Sequence, residues 1–531
     1  MAWLDRFERA CSQKLFRFRQ GTGSVGPLPA TIVAGLSAAV LALAAGCGNQ
    51  YRPVVTPINP TGPAGQPAAY VTVFSQPGIT GIVGACPLSG GATYSIPSVI
   101  TLVDFSGDSI QDQAEGGYGP LTFSLPSSGG EVYAPNCDGT ITASVNSSGG
   151  IVTKNIQTST LLAGALPTNT LLSQSNLYVT ETGADSGCPS PATNCIAQLT
   201  GSPQALKQEI PVAPSLVNLV GNGSSIRIYG ISQGNSTAAT PLTWGSCDTP
   251  AAVTQTGEAD AIETATNTIS ARLPLGVCPV YGYMTPDSQR VFIMNRGGTP
   301  GVGPGTITVI NSELNALDTQ FSPTSTIAVG AGPVYADYYR DGQLLVTANY
   351  DSNTISIIDV SLDVYGNDSS TFGTVLATIN LANGPGCPTG ADTMCMHPVE
   401  VSVLQDGSRV YVANQGDISA GTDPTTGLPV VPGSVSVVNL QNYTVETTIP
   451  LTANPHAIGS IYSYPYGKVY VASQNSPYLT VIRTDTDTIS ATPEMQGNIV
   501  DMRVNAQYPQ QSSTGSGNEQ PESRSVGSGA P

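Results

Sequence analysis

The chain has 531 residues, 10% of them charged and 40% hydrophobic, with 59 glycines and 42 prolines; this is turn-rich, β-rich composition, and no helical periodicity of useful length appears outside the N-terminal segment. Its formal net charge of −18 argues against a nucleic-acid partner, because a phosphate backbone is held by clustered Lys and Arg. Acidity of this kind serves solubility and colloidal repulsion.

In chain order, Arg6, Arg9, Lys14, Arg17 and Arg19 form a basic region ahead of the apolar run Thr31–Gly46, which is too short for a comfortable membrane span. The run ends LAAGC. It resembles the lipobox of bacterial lipoproteins, in which the cysteine, here Cys47, is diacylated and becomes the first residue after cleavage. Ala44 stands where Leu is most common and the basic region is long, so an ordinary secretory signal or an uncleaved anchor is the alternative. The resemblance implies a signal peptide over residues 1–46. Gly48 after the cysteine, in place of Asp, implies an outer-membrane lipoprotein of the cell envelope, facing the periplasm or the surface. The first 46 residues carry five basic and two acidic side chains, so taking that +3 from −18 leaves −21 for the mature chain. Residues 47–68 hold five prolines and read as an extended tether of roughly 60 Å at about 3 Å per residue.

From residue 69 to 506 the chain repeats. The clearest copy is Pro398–Pro450, which opens PVEVSVLQDGSRVYVANQG and closes GSVSVVNLQNYTVETTIP. It predicts four short strands, Val399–Leu404, Arg409–Ala413, Ser434–Asn439 and Thr444–Ile449, each apolar at every second position and followed by a turn signal such as Asp406-Gly407. Further copies begin at Pro279, Pro333 and Pro455, with weaker ones at Pro120, Thr168 and Pro214. One such meander cannot bury its faces alone, so the copies are expected to pack on one another. The pattern resembles the YVTN-type β-propeller repeat, and the resemblance implies an all-β fold: a single β-propeller of four-stranded blades. The count is eight blades if Asn498–Met502 pairs with Tyr70–Val73 and Val99–Asp104 to close the ring, which would remove exposed sheet edges. Seven is the alternative, with Tyr70–Asp104 as an extra hairpin. Residues 507–531 are Ser, Gly, Gln and Pro without apolar periodicity and are expected to be disordered.

Ten cysteines occur. With Cys11 in the removed segment and Cys47 lipidated, eight remain, and an even number in an exported chain predicts disulfides. Cys188 with Cys195 and Cys387 with Cys395 are natural local pairs; Cys247–Cys278 and Cys86–Cys137 follow by elimination. No C-x-x-C occurs, which speaks against a zinc site.

Repeat length varies through loops. Gly183–Asn194, Ser232–Gly257, Gly297–Pro304 and Gln415–Gly433 join second to third strands, and Ala382–His397 joins a fourth strand to the next first strand. In an antiparallel meander both kinds emerge on one face, which is where repeat proteins build binding surfaces. Only Ser361–Phe372 falls on the opposite face. His397 and His456 flank the start of the first strand in adjacent repeats, near the expected channel mouth, and Tyr281, Tyr335, Asp337 and Glu400 are candidates to line the channel. Asn136, Asn295, Asn349 and Asn414 end second strands, where Asn commonly bonds its own backbone. Thr484–Thr488 (TDTDT) lacks the Gly and distal Glu of a calcium loop and reads as a turn.

No nucleophile elbow, zincin, Walker or dinucleotide motif accompanies the repeats. The first expectation is therefore a monomeric, non-catalytic, cofactor-free binding or scaffold protein, tethered to the membrane and presenting its loop-bearing face to a protein, peptide or glycan. The alternative is a lactonase-like hydrolase in which Asp337, Glu400 and His456 hold a divalent metal that activates water. A redox propeller needs more histidines than two.

Overall fold

The structure, a computed structural model, describes residues 70–505 apart from internal stretches, the longest of them 234–255. All of these belong to the unit Pro57–Pro531. The expected signal peptide (1–46), tether (47–68) and tail (507–531) lie outside the described residues. What is described is all-β, with a single 3-10 turn at Ile418–Ala420 and no α-helix.

The strands form successive antiparallel sheets arranged as a propeller. The first joins the two ends of the described chain: Asn498–Val504 is its inner strand, followed outward by Tyr70–Gln76, Val99–Asp104 and Ile110–Glu115. The second has three strands, Glu131–Pro135, Ile141–Ser147 and Gly150–Ile156, and its inner strand is reduced to bridges from Pro120 to Asn136 and from Ser124 to Tyr133. The third to eighth begin at the inner strands Leu166–Ser173, Leu216–Val220, Pro279–Met284, Pro333–Tyr339, Pro398–Val403 and Asn454–Ile461. Seven sheets thus have at least four strands, the number given as the alternative count in place of eight, while the second sheet has only three. Closure by the C-terminal strand is as expected.

The packing explains the sequence pattern and corrects one part of it. Alternation holds in outer strands such as Thr444–Pro450, which have one solvated face. The second strands do not alternate in burial: Arg290–Asn295 is buried at every position, because each sheet is covered on both faces by its neighbours. Tyr411, Val412, Ala413, Val437 and Val438 are fully buried in this way, and burial of such side chains contributes roughly 1.5–3 kcal/mol each.

The polar residues of the repeat are inter-sheet and intra-sheet locks. In three of the YVAN-like strands the tyrosine reaches the third-to-fourth-strand turn of the next sheet: Tyr178 Oη donates to Asn267 Oδ1 at 2.8 Å, Tyr411 to Asp487 Oδ1 at 2.6 Å and Tyr470 to Asp108 Oδ1 at 3.3 Å. Those three acceptors have φ between 50 and 55°, a left-handed conformation that Asn and Asp tolerate. Thr484–Thr488 is such a turn, as expected. Two residues before the tyrosine, a cation binds the same neighbouring turn: Arg409 Nη1 donates to Thr484 O at 2.5 Å, and Lys468 Nζ to Phe105 O at 2.6 Å.

The asparagines behave differently from the expectation. Their side-chain amides donate not to their own backbone but to a pair of hydroxyls on the third strand. Asn349 Nδ2 meets Thr354 and Ser356, each at 3.0 Å; Asn414 meets Ser434 and Ser436; Asn295 meets Thr306 and Thr308; Asn136 meets Thr140 and Thr142. The amide is fully buried, and two hydroxyls one strand away take up both of its N–H donors, while Oδ1 accepts no hydrogen bond among the described residues.

Candidate functional site: the loop-bearing face and channel mouth

Antiparallel order places second-to-third and fourth-to-first connections on one face of the propeller. The five insertions named from the sequence leave and re-enter the described strands on this face, and so does a sixth: the connection from Gln76 to Val99 links second to third strand of the first sheet. It was not read as an insertion because its inner strand comes from the other end of the chain. Every described cysteine is at this face. Cys86–Cys137 ties the connections of the first and second sheets together (Cα–Cα 5.5 Å), while Cys188–Cys195 and Cys387–Cys395 pin single loops (5.8 and 6.0 Å). Cys278 is disulfide-bonded as well, and Cys247, its expected partner, lies outside the described residues. Such bonds mark a chain that matures outside the cytoplasm.

On this face a row of side chains leans from sheet to sheet. Its members occupy the position just after the second strand: Gln233, Arg296, Tyr350 and Gln415. Gln233 Nε2 donates to Pro279 O of the next sheet at 3.1 Å. The Arg296 guanidinium lies 5.4 Å from the centroid of the Tyr350 ring and pairs with Asp351, Nη2 to Oδ1 at 3.0 Å. The Tyr350 ring also stacks on His397 at 4.5 Å between centroids, 28° from parallel, and its hydroxyl donates to Gln415 Oε1 at 3.3 Å. Asn454 Nδ2 in turn donates to Gln415 O at 2.7 Å. Cation, phenol and imidazole are thus stacked across three connections, a desolvated cation–π arrangement worth roughly 1–2 kcal/mol.

Local backbone geometry fixes these residues. Cys278, Gly332 and His397 each precede the proline that opens an inner strand, and all have left-handed φ, 54, 69 and 59°. A β-carbon at Gly332 would come within 2.2 Å of Asp351 Oδ2, so this position must be glycine for the Arg296–Asp351 pair to close. His397 adopts the same conformation without that freedom, held by Asn353 Oδ1 accepting its N–H at 2.8 Å.

A bulge one residue into the inner strand re-aims the side chain that follows it, in the sheets opening at Leu166, Leu216, Pro279, Pro333, Pro398 and Asn454 and at the closure. This brings Tyr281 and Tyr335 together, stacked at 4.5 Å. The two carboxylates expected to line the channel are buried and engage neighbouring sheets. Asp337 Oδ2 accepts the Val403 N–H at 2.7 Å and Glu400 Oε2 the Ile458 N–H at 2.9 Å. Asp501, missed by sequence reasoning, accepts Thr122 Oγ1 at 2.8 Å and Arg503 Nη2 at 3.0 Å. His456 occupies the bulge position, where three other sheets carry Val280, Val334 and Val399, and its Nε2 is 2.9 Å from Val500 O. The two histidines are therefore held by different neighbours, Tyr350 and Val500. Asp337 and Glu400 point into successive sheet interfaces. Among the described residues, no group of three or more His, Cys, Asp or Glu is placed to hold one metal ion.

A second pair of carboxylates also escaped the sequence reading. Glu181 ends a second strand and Glu209 lies on the fourth strand of the same sheet, facing the same side across the third. Glu181 is fully buried, and among the described residues no other group donates a hydrogen bond to the carboxyl oxygens of either. Burial, and then the charge of Glu209, push Glu181 up to about 9; burial raises Glu209 as well. Two carboxyls this close and this buried favour protonation over a pair of charges. Strand alternation could have placed both on one face, but not shown that among the described residues no cation pairs with them.

No family model matches the chain, and no curated protein matches it. Among solved structures it is similar to apo AztD from Citrobacter koseri (TM-score 0.47, 11% identity, 82% of this chain and 98% of that one). It is also similar to a putative 6-phosphogluconolactonase from Bacteroides fragilis (0.44, 14%, 82% and 98%) and to dihydro-heme d1 dehydrogenase NirN in complex with DHE (0.46, 14%, 82% and 74%). At such identities these are likenesses of the propeller fold.

Proposed function

We propose that this chain is a lipid-anchored, extracytoplasmic β-propeller of the YVTN-repeat type that acts as a monomeric binding or scaffold protein through its loop-bearing face. The observation that carries the reading is the confinement of every described cysteine to that face. Disulfides there tie the ends of loops together and so lower the ordering cost of binding, whereas the opposite face has none among the described residues. The stacked Arg296–Tyr350–His397 cluster forms the floor between those loops. Its ligand is a protein, peptide or glycan of the cell envelope, and Cys47 supplies the membrane tether.

The hydrolase reading asks Asp337 and Glu400 to leave the backbone N–H groups they now accept. The test uses the full-length chain purified without chelator, screened against peptide and glycan arrays and, in parallel, assayed for divalent metal and for hydrolysis of lactones and esters. Array binding that falls at least about tenfold in the Cys387→Ser/Cys395→Ser double variant, with unchanged circular dichroism, supports the binding reading. A stoichiometric ion and an esterase activity, both lost in Asp337→Ala, would overturn it in favour of the hydrolase.

A further inference from the structure

The insertion Ser361–Phe372 on the opposite face is built as a rigid knob, packed beside the long connection 311–326 of the neighbouring sheet. In Ser361–Phe372, Asp363 closes a turn on itself: its Oδ1 accepts the N–H of Tyr365 at 2.8 Å and of Asn367 at 2.9 Å, and its own N–H donates to Asn367 O at 2.7 Å. At the tip stand Val364 and Tyr365, 92% and 86% exposed, the two most exposed large apolar side chains described. The base is fixed to the neighbouring sheet. Arg290, 1% exposed, binds Asp318 Oδ2 at 2.6 Å, Asp368 Oδ1 at 2.8 Å and Gly366 O at 3.3 Å. Phe372 closes the loop against Phe321, centroids 5.2 Å apart.

Single exposed apolar residues are ordinary. Here the adjacent turns add to the tip. Leu314 is 67% exposed on the turn after Asn311, in the sheet that Arg290 belongs to, and Ile226 is 58% exposed one sheet further on, where Arg227 hydrogen-bonds Ser312 O. The exposed charges on these turns are Asp287, Glu313 and Asp363, while Arg227 and Arg290 are neutralised by Glu263 and by Asp318 with Asp368. The surface is an apolar ridge with an acidic margin.

We propose that this ridge is a docking surface for a second protein, with Tyr365 and Val364 inserting into an apolar pocket whose rim carries Lys and Arg. A pre-formed tyrosine tip is the anchor such interfaces use, because little entropy is lost in fixing it. The acidic margin selects a basic rim and disfavours the other occupants. A second copy of this chain would oppose the same acids, and an anionic bilayer would repel a mature chain of charge −21. The surface lies opposite the proposed ligand face and stands whatever that face binds.

The test places the photo-crosslinking residue p-benzoylphenylalanine at position 365 of the full-length chain in its own cells, with the same residue at Asn442, on another turn of this face, as control. The expected result is a single protein adduct from position 365 and none from 442, mapping to an apolar pocket bordered by Lys or Arg. With the partner purified, the Val364→Ser/Tyr365→Ser variant should bind at least about tenfold more weakly, its circular dichroism and melting unchanged, and raised salt should weaken the wild-type complex. Adducts only to this chain or to lipid, no adduct, an adduct on an acidic surface, or an unweakened double variant would each overturn the proposal.

Discussion

A single buried cation shows how much of this fold rests on charges that never meet solvent. Arg290 is 1% exposed, and its two carboxylate partners, Asp318 and Asp368, have side chains 1% and 4% exposed. Replacing it with Met leaves both acids buried without a counter-charge, and breaking such a network from one side costs about 3–5 kcal/mol. Burial already pushes the Asp368 carboxyl above its ordinary value even with Arg290 in place. Urea unfolding of Arg290→Met is expected to show that loss, and a change under about 1 kcal/mol would mean that the triad is ornamental. Residue-level reading of the sequence was uneven here. The arginine at the head of the RVFIMN strand was visible as part of the repeat, but Asp318 and Asp368 come from a turn and an insertion with no counterpart in other copies. The same holds for Asn349 and its relatives: the repeat exposed the residue, while its true partners, Thr354 and Ser356, follow only once the third strand's register is known.

At the scale of single sheets and loops, two consequences can be measured. The Glu181–Glu209 pair has its folded-state protonation shifted upward, Glu181 to about 9 from an ordinary 4.5. An acid raised on folding contributes stability that is fully present below the unfolded value and lost as pH rises through the folded one. The propeller should therefore lose stability between about pH 5 and pH 9, and Glu181→Gln should flatten that loss and stabilise the protein at pH 8, by about 1–4 kcal/mol if it follows other buried charge replacements. A variant with the same slope as wild type would show that the pair does not titrate in this window. The disulfides give a ranking. Cys86–Cys137 spans 51 residues and joins two sheets, against spans of 7 and 8 for the local pairs. If chain entropy governs, removing it costs about 4 kcal/mol and removing either local pair about 2.5. Melting curves of the three double-serine variants check that order. The local pairs were readable from spacing alone. The long pair was reached only by elimination, since nothing in the sequence says that the Gln76–Val99 connection belongs to the same face as Cys137.

For the molecule as a whole, the ring is legible because every propeller position is answered by a neighbour of the same kind, so Tyr411, Asn414 and Asp406-Gly407 recur where the geometry recurs. Legibility fails where that reciprocity fails: in the second sheet, whose inner strand survives only as bridges at Pro120 and Ser124, and at the channel mouth, where Arg296, Tyr350 and His397 meet across sheets that the sequence cannot align. The closure is where the two limits meet, because the inner strand of the first sheet lies at the far end of the chain. Asn498–Val504 pairs with Tyr70–Gln76, Ser75 Oγ donates to Gln496 O at 3.1 Å, and Tyr70 N–H donates to Asn505 Oδ1 at 2.7 Å. Asp501 carries the ring onward to Thr122, and Ile499 and Met502 fill the interface with the eighth sheet. Without this strand Tyr70–Gln76 and the sheet packed beside it become open edges, which other chains can extend. A chain ending after residue 505 is expected to match the full-length protein in melting temperature and in gel-filtration volume. One ending after Met495 should lose its single cooperative transition and associate. A peptide of residues 496–505 added in excess should restore the monomer, since the strand docks by backbone pairing into a preformed slot. Equal behaviour of the two truncations would show that the propeller closes without its C-terminal strand, and that the first sheet is an accessory to the ring.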